Sequence, residues 1–154
     1  MRIVVLGAGT VGGSIASLLC FHLHSVTVVE SDANSIRLVN DTLDERVITG
    51  SASQSSVLFQ AGVNSADLCL AVTGDDEVNM VAASMSKAMG ARRAVARVYA
   101  PVFRYLSTFD YQRHFGIDRL LSLEQLTALE RARNIRHPGS VAVESLARGE
   151  LEVH

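Results

Sequence analysis

Six residues constrain this chain more than any others: Gly7-Ala8-Gly9-Thr10-Val11-Gly12, with Gly13 following at once. They lie between an apolar run, Ile3-Val4-Val5-Leu6, and an amphipathic stretch over residues 14–23. That order predicts strand, G-x-G-x-x-G turn and helix, the setting in which this motif carries meaning. Gly7 permits the tight turn out of the strand, and Gly9 lets backbone approach a pyrophosphate with no Cβ in the way. Gly12 allows the helix to pack closely on the sheet, and the unpaired amides of its first turn face the phosphates. A second apolar run, Val26-Thr27-Val28-Val29, ends in Glu30, where a ribose-binding acid is expected about 20 residues after the glycines.

The remainder of the first hundred residues keeps alternating. Asp32 is placed to cap a helix reaching about residue 40, with Ile36 and Val39 inward. Residues 46–49 form a third strand, and Gly50-Ser51-Ala52-Ser53 is the loop at its carboxyl end. Val57, Leu58 and Ala61 mark a short helix stopped by Gly62, and residues 68–72 a fourth strand ending in Thr73-Gly74. Asp75-Asp76-Glu77 opens a helix where the dipole favours acids, and much of their presence is explained by that alone. Val78, Val81, Ala82, Met85 and Ala88 keep helical spacing up to Gly90; Met80, Met85 and Met89 read as packing residues. Residues 94–98 are a fifth strand. The pattern predicts an α/β, Rossmann-like, doubly wound parallel sheet with its ligand beyond the strands' carboxyl ends, near Gly7, Glu30, Gly50, Thr73 and Arg97.

The last third is less regular. Residues 101–109 read as a short helix and 116–121 as a sixth strand. Ser122-Leu123-Glu124-Gln125 is a capping box. The helix it starts carries Leu123, Leu126, Leu129 and Ala132 along one side and stops before Pro138-Gly139. If the earlier helices already cover the sheet, that side needs a partner, so residues 123–136 are assigned as a dimerisation helix burying Leu126 and Leu129. Domain one is thus 1–136, and 137–154, with strand-like Val141-Ala142-Val143, begins a linker or further domain.

Composition narrows the function classes. Fourteen Lys+Arg against 16 Asp+Glu give a net charge of -2 and no general pull toward nucleic acid or anionic membrane. The apolar stretches are too short to span a bilayer, and Met1 abuts the first strand, leaving no room for a signal peptide. Cys20 and Cys69 lie in apolar surroundings and are expected to be buried reduced thiols of a cytosolic protein. His22 and His24 face different sides of a helix end, and His114, His137 and His154 lack a partner at ligand spacing, so no side-chain metal site is expected.

The run Gly50-Ser51-Ala52-Ser53, then Leu58, Ala61-Gly62, Ala66-Asp67, Ala71-Val72-Thr73, Asp76-Glu77-x-Asn79-Met80 and Ala96-Arg97-Val98 resembles the RCK or KTN (TrkA N-terminal) domains of regulators of K⁺ conductance. Gly116-Ile117-Asp118 and Pro138-Gly139 extend the likeness over nearly the whole chain. The resemblance implies a Rossmann domain that binds NAD(H) or ADP/ATP, dimerises, and passes ligand state to an integral-membrane K⁺ channel or transporter from the cytoplasmic side of the membrane. It implies that Gly7, Ala8, Gly9, Thr10, Val11 and Gly12 hold the diphosphate and Glu30 the ribose hydroxyls. Ser31, Ser51 and Ala52 would flank ribose and adenine, Thr73 and Glu77 border the distal half, and Arg97 meet phosphate or ligand oxygen. Two departures stand out. Ser51 replaces an acid found in many members, and Tyr99 a frequent second basic residue; the lost charge favours NAD(H) over a γ-phosphate.

Two enzyme readings compete with this non-enzymatic, regulatory one. In a short-chain oxidoreductase a Lys four residues after a Tyr lowers its pKa; here Tyr99, Tyr105 and Tyr111 are followed by Phe103, Phe109 and Phe115. Larger NAD-dependent oxidoreductases need a second domain, though an isolated cofactor domain fits the length. A methyltransferase fits the sugar acid but not the pyrophosphate turn. Glu30 would also repel the 2′-phosphate of NADP.

Overall fold

The computed structural model describes residues 1–9, 12–13, 15–16, 24–42, 46–131 and 146–148. Six strands, β1 (Arg2–Leu6), β2 (Ser25–Glu30), β3 (Arg46–Thr49), β4 (Leu68–Ala71), β5 (Arg93–Arg97) and β6 (Arg119–Leu121), form one sheet in the order β3-β2-β1-β4-β5-β6. Every neighbouring pair is parallel. The chain winds outward from β1 to β3, then returns to lay β4 on the other side of β1. The reversal opens a crevice at the carboxyl ends of β1 and β4, where such sheets take their ligands.

Strand residues alternate between two apolar layers, which is why these strands read as continuous hydrophobic runs. Val4, Leu6, Cys69, Ala71, Ala94 and Ala96 face the helices Ser55–Ala61 and Asp76–Met89. Ile3, Val5, Val28, Leu68, Leu70 and Val95 face Ile15 and Ala16, which follow the glycine turn, and also Leu126, Leu146 and Ala147. The small residues at Ala71, Ala82, Ala83, Ala94 and Ala96 are fully buried and let the Asp76–Met89 helix lie close to β4 and β5.

Local signals act as the sequence suggests at most boundaries. Asp32 accepts the Ser35 amide at 2.8 Å at the start of the Ala33–Thr42 helix, and that bond holds its carboxyl below the usual range. Ile36 is half-buried, and the Val39 side chain lies outside the described residues. Gly62 ends Ser55–Ala61 in the left-handed region at φ 83°. Asp75 caps Asp76–Met89 by accepting the amides of Glu77 and Val78 at 3.0 and 3.2 Å. That helix is rotated from the apolar stripe read in the sequence: Asn79, Met80, Ala82, Ala83 and Ser86 are buried, while Val81 is 39% exposed. Two polar residues lie inside because each finds a buried partner, described below for Asn79 and at Cys69 Sγ, 3.4 Å away, for Ser86.

Three expectations need correction or limits. Residues 101–109 are not one helix: a 3₁₀ turn spans Pro101–Arg104, and an unforeseen α-helix follows at Tyr111–Phe115, capped by Asp110 and ended by Gly116. Edge-to-face packing of Phe103 and Phe109 on Tyr111, at 5.1 and 4.9 Å, folds the segment back on itself. Strand β6 starts at Arg119, later than expected. The capping box forms reciprocally, Gln125 N to Ser122 Oγ at 3.2 Å and Ser122 N to Gln125 Oε1 at 2.8 Å, opening a helix over Leu123–Arg131. Its Leu126, however, is 0% exposed within its own chain. The helices after β3 and β4 lie on one face, and Leu126 belongs to the apolar layer of the other, together with residues of β1, β2, β4, β5 and β6. Leu129, Ala132, Cys20 and residues 137–145 lie outside what is described.

Candidate functional site

The turn after β1 is held from both sides. Gly7 donates its amide to the Val29 carbonyl at 2.7 Å, and Val72 donates to Leu6 at 2.9 Å. Gly7 has φ 108°, and a Cβ there would stand 2.9 Å from the Thr73 nitrogen. A Cβ at Gly12 would lie 1.9 Å from the Gly7 carbonyl oxygen, so only glycine allows the helix to start this close to the strand. At Gly9 a Cβ would meet nothing within 4 Å. The first and third glycines are required by the fold. Among the described residues nothing requires the middle one, which is the signature expected of a ligand approach.

Glu30, at the end of β2, closes this turn. Its Oε1 accepts the Ala8 amide at 2.6 Å, and Oε2 accepts Ser31 and Asp32 at 2.8 and 2.9 Å. A carboxylate oxygen has two acceptor sites in its plane, so capacity for one ligand hydroxyl remains on Oε1. Gly7, Gly9, Glu30, Ser31, Ser51, Ala52 and Thr73 line one cleft of about 370 Å³ with Val72, Gly74, Asp75 and Val78. Ser51 Oγ lies 3.2 Å from Ser53 Oγ within the β3 loop. Ala8 and Gly12 are buried beneath the turn, and Thr10 and Val11 lie outside the described residues.

The far wall is built by a residue to which the sequence reading gave no role. Asn79 is fully buried and uses its whole amide. Its Oδ1 accepts the Thr73 amide and hydroxyl at 2.8 and 2.6 Å, and Nδ2 donates to the carbonyls of Thr73 and Arg97 at 3.0 and 2.9 Å. This clamps the ends of β4 and β5 together. Asp76 then accepts the amides of Tyr99 and Ala100 at 2.8 and 2.9 Å, fixing the exit of β5. Asn79 follows Val78 directly and lies off the apolar stripe read in the sequence, so spacing alone gave no signal of its burial.

Arg97 and Glu77 stand apart from that cleft. Arg97 is 3% exposed, donates through Nη2 to the Thr73 carbonyl, and lies under the Tyr99 ring at 3.9 Å from its centroid. Glu77 borders an adjoining hollow with Gly74, Asp75, Asp76, Tyr99, Ala100 and Phe103. Gly74 and Asp75 belong to both, so the two adjoin. Among the described residues no group of three or more His, Cys, Asp or Glu is placed to hold a metal ion, and no helix is long and apolar enough to cross a membrane.

A parallel doubly wound sheet with a glycine turn after β1 and an acid ending β2 defines a Rossmann-like domain. The TrkA-N domain pattern matches residues 3–122, and the chain belongs to that family. It is 38% identical over 153 residues to a Trk system potassium uptake protein TrkA homolog from Archaeoglobus fulgidus, covering 99% of this chain and 34% of that protein. It is 40% identical over 104 residues to the Trk system potassium uptake protein TrkA of Halomonas elongata, covering 67% and 23%. The chain therefore spans 34% and 23% of the length of these relatives. The fold is also that of the GsuK channel bound to NAD, with TM-score 0.68 and 18% identity over 83% of this chain and 22% of that one. The same channel bound to ADP gives 0.67 and 18%, over 83% and 32%.

Proposed function

We propose that this chain is the nucleotide-sensing domain of a regulatory subunit for K⁺ uptake, taking NAD(H), or ADP/ATP, in the cleft between the glycine turn and Glu30. One observation carries the reading: residues drawn from the ends of β1, β2, β3 and β4 converge on a single cleft whose floor glycine, Gly9, faces open space. In this reading the diphosphate lies over Gly9 and a ribose hydroxyl reaches Glu30 Oε1. The adenine rests along Ser31, Ser51 and Ala52, and the distal half passes Thr73 toward Glu77 and Arg97. Membership of the TrkA-N family, with relatives named for potassium uptake, supports a membrane K⁺ transporter as partner, met from the cytoplasmic side.

The output is mechanical and not catalytic: ligand shifts the balance between two geometries of a dimer or higher assembly only if it binds them unequally. Leu126 has no part in that assembly, being spent on its own core. The reading is tested by the mass of any nucleotide that copurifies and by calorimetric titration with NADH, ADP and ATP. A chain that binds none of the three is not a nucleotide sensor. Steady turnover of NAD with alcohol or hydroxy-acid substrates would instead favour the oxidoreductase reading.

A further inference from the structure

Parallel strands covered on both faces are expected to be apolar throughout, and β4 is. Strand β2 is not. Its residues alternate between Val26 and Val28 on one face and Ser25, Thr27 and Val29 on the other. The register sets Ser25 beside Arg2, and Thr27 beside both Val4 and Arg46. Arg2 shares the face of Val4, and Arg46 that of Ile48, so four polar residues stand together on one face at the amino ends of β1, β2 and β3. The helix on that face, Ser55–Ala61, ends at Gly62, and a hollow of about 170 Å³ lies between that turn and the strand ends. Arg2, Ser25, Thr27, Arg46, Gly62 and Ser65 line it, and among the described residues no carboxylate does.

Arg46 is partly engaged, donating Nη2 to the Gln60 carbonyl at 3.0 Å. Among the described residues the Arg2 guanidinium and the Ser25 and Thr27 hydroxyls have no hydrogen-bond partner. Asp67 lines the neighbouring hollow instead, its Oδ2 accepting the Arg2 amide at 2.8 Å. Two arginines flanking two free hydroxyls are the donor set of an oxyanion site. Guanidinium forks match the oxygens of a phosphate, and hydroxyls complete its hydrogen bonds. We propose that this hollow binds a phosphate-sized oxyanion, at the end of the sheet opposite the nucleotide cleft. The five residues of β1, at about 3.3 Å each, separate the two. A nucleotide in the cleft therefore leaves this hollow free, and the assignment does not rest on the nucleotide reading.

The test is titration of the isotope-labelled whole chain with inorganic phosphate, followed by backbone amide shifts and compared with sodium chloride at equal ionic strength. Saturable shifts are expected at Ser25, Thr27, Arg46 and the amides of residues 62–66. Arg2→Gln weakens phosphate by about fivefold, the size of one exposed charge-assisted pair. Thr27→Val keeps a β-branched residue in the strand, so the fold holds, which thermal melting verifies. It removes one hydroxyl and weakens phosphate by about threefold. Arg46 is left in place because it also holds the end of the Ser55–Ala61 helix. Shifts that do not saturate, that chloride reproduces, or that neither substitution weakens overturn the assignment. Shifts confined to the turn at Gly7–Gly9 overturn it too, while leaving the nucleotide cleft standing.

Discussion

Asn79 and Thr73 exchange three hydrogen bonds across the turn from β4 into the Asp76–Met89 helix, and a fourth ties Asn79 to the Arg97 carbonyl. Because Gly7 packs against the Thr73 backbone, one buried amide sets the spacing of three strand ends around the cleft. We expect Asn79→Leu, similar in volume, to leave a buried donor and acceptors unmet. At roughly 1–3 kcal/mol for each such group, the loss should be about 2–4 kcal/mol by urea unfolding. A midpoint equal to wild type would show that the bracket is ornamental.

The glycines of the turn should separate cleanly. Gly9→Val adds a side chain where nothing lies within 4 Å, so thermal stability should hold while NADH and ADP binding is lost. Gly12→Ala places a carbon 1.9 Å from a carbonyl oxygen, and overpacking of this kind costs at least about 1–3 kcal/mol. Melting curves and titrations on the pair decide it; wild-type affinity in Gly9→Val would remove the turn from the binding site.

Glu30 has two duties, so its removal should register twice. Glu30→Ala releases the amides of Ala8, Ser31 and Asp32 and should weaken NADH by about tenfold or more through lost charge-assisted bonds. It should also narrow the preference for NADH over NADPH. An unaltered NADH/NADPH ratio in competition titrations would leave Glu30 with only the turn to hold.

Cys69 offers a measure of opening at the sheet's centre. It is fully buried, and desolvation pushes its thiol up to about 12 from 9.0 despite the Ser86 hydroxyl nearby. The folded state thus holds the proton more tightly than the unfolded one. Its contribution to stability is complete below pH 9 and is lost as pH rises from there toward 12, with a slope of about 1.4 kcal/mol per pH unit. In a Cys20→Ser background, labelling by a thiol reagent at pH 8 should track global unfolding. Rapid labelling of native protein would mean that β4 is not where the fold places it.

What could be read from the sequence was whatever a residue announces through its immediate neighbours. The glycine turn, Glu30 at the end of its strand, the Asp32 cap, the stop at Gly62 and the Ser122–Gln125 box were read from nearby residues, and each is present. Asn79 escaped because its role depends on two strand ends meeting, which spacing does not reveal. Arg97 was located correctly at a strand end, but not its turn inward beneath Tyr99. The Tyr111–Phe115 helix carried legible caps in Asp110 and Gly116, passed over because residues 101–109 read as the helix and Gly116 as the start of the strand. Leu126 was misjudged because helices were counted and not assigned to faces.

That last point separates two ideas of a boundary. The family's shared pattern ends at residue 122, yet the buried layer that holds Leu70, Val95 and Leu121 also includes Leu126 and Leu146, which come later. What evolution repeats as a unit is therefore smaller than what water must be kept from. A fragment cut where the resemblance stops would carry the whole binding cleft and still present an oily half-face of its sheet, making it a sticky, self-associating protein. Its aggregation in sedimentation runs would say nothing about how the intact chain assembles.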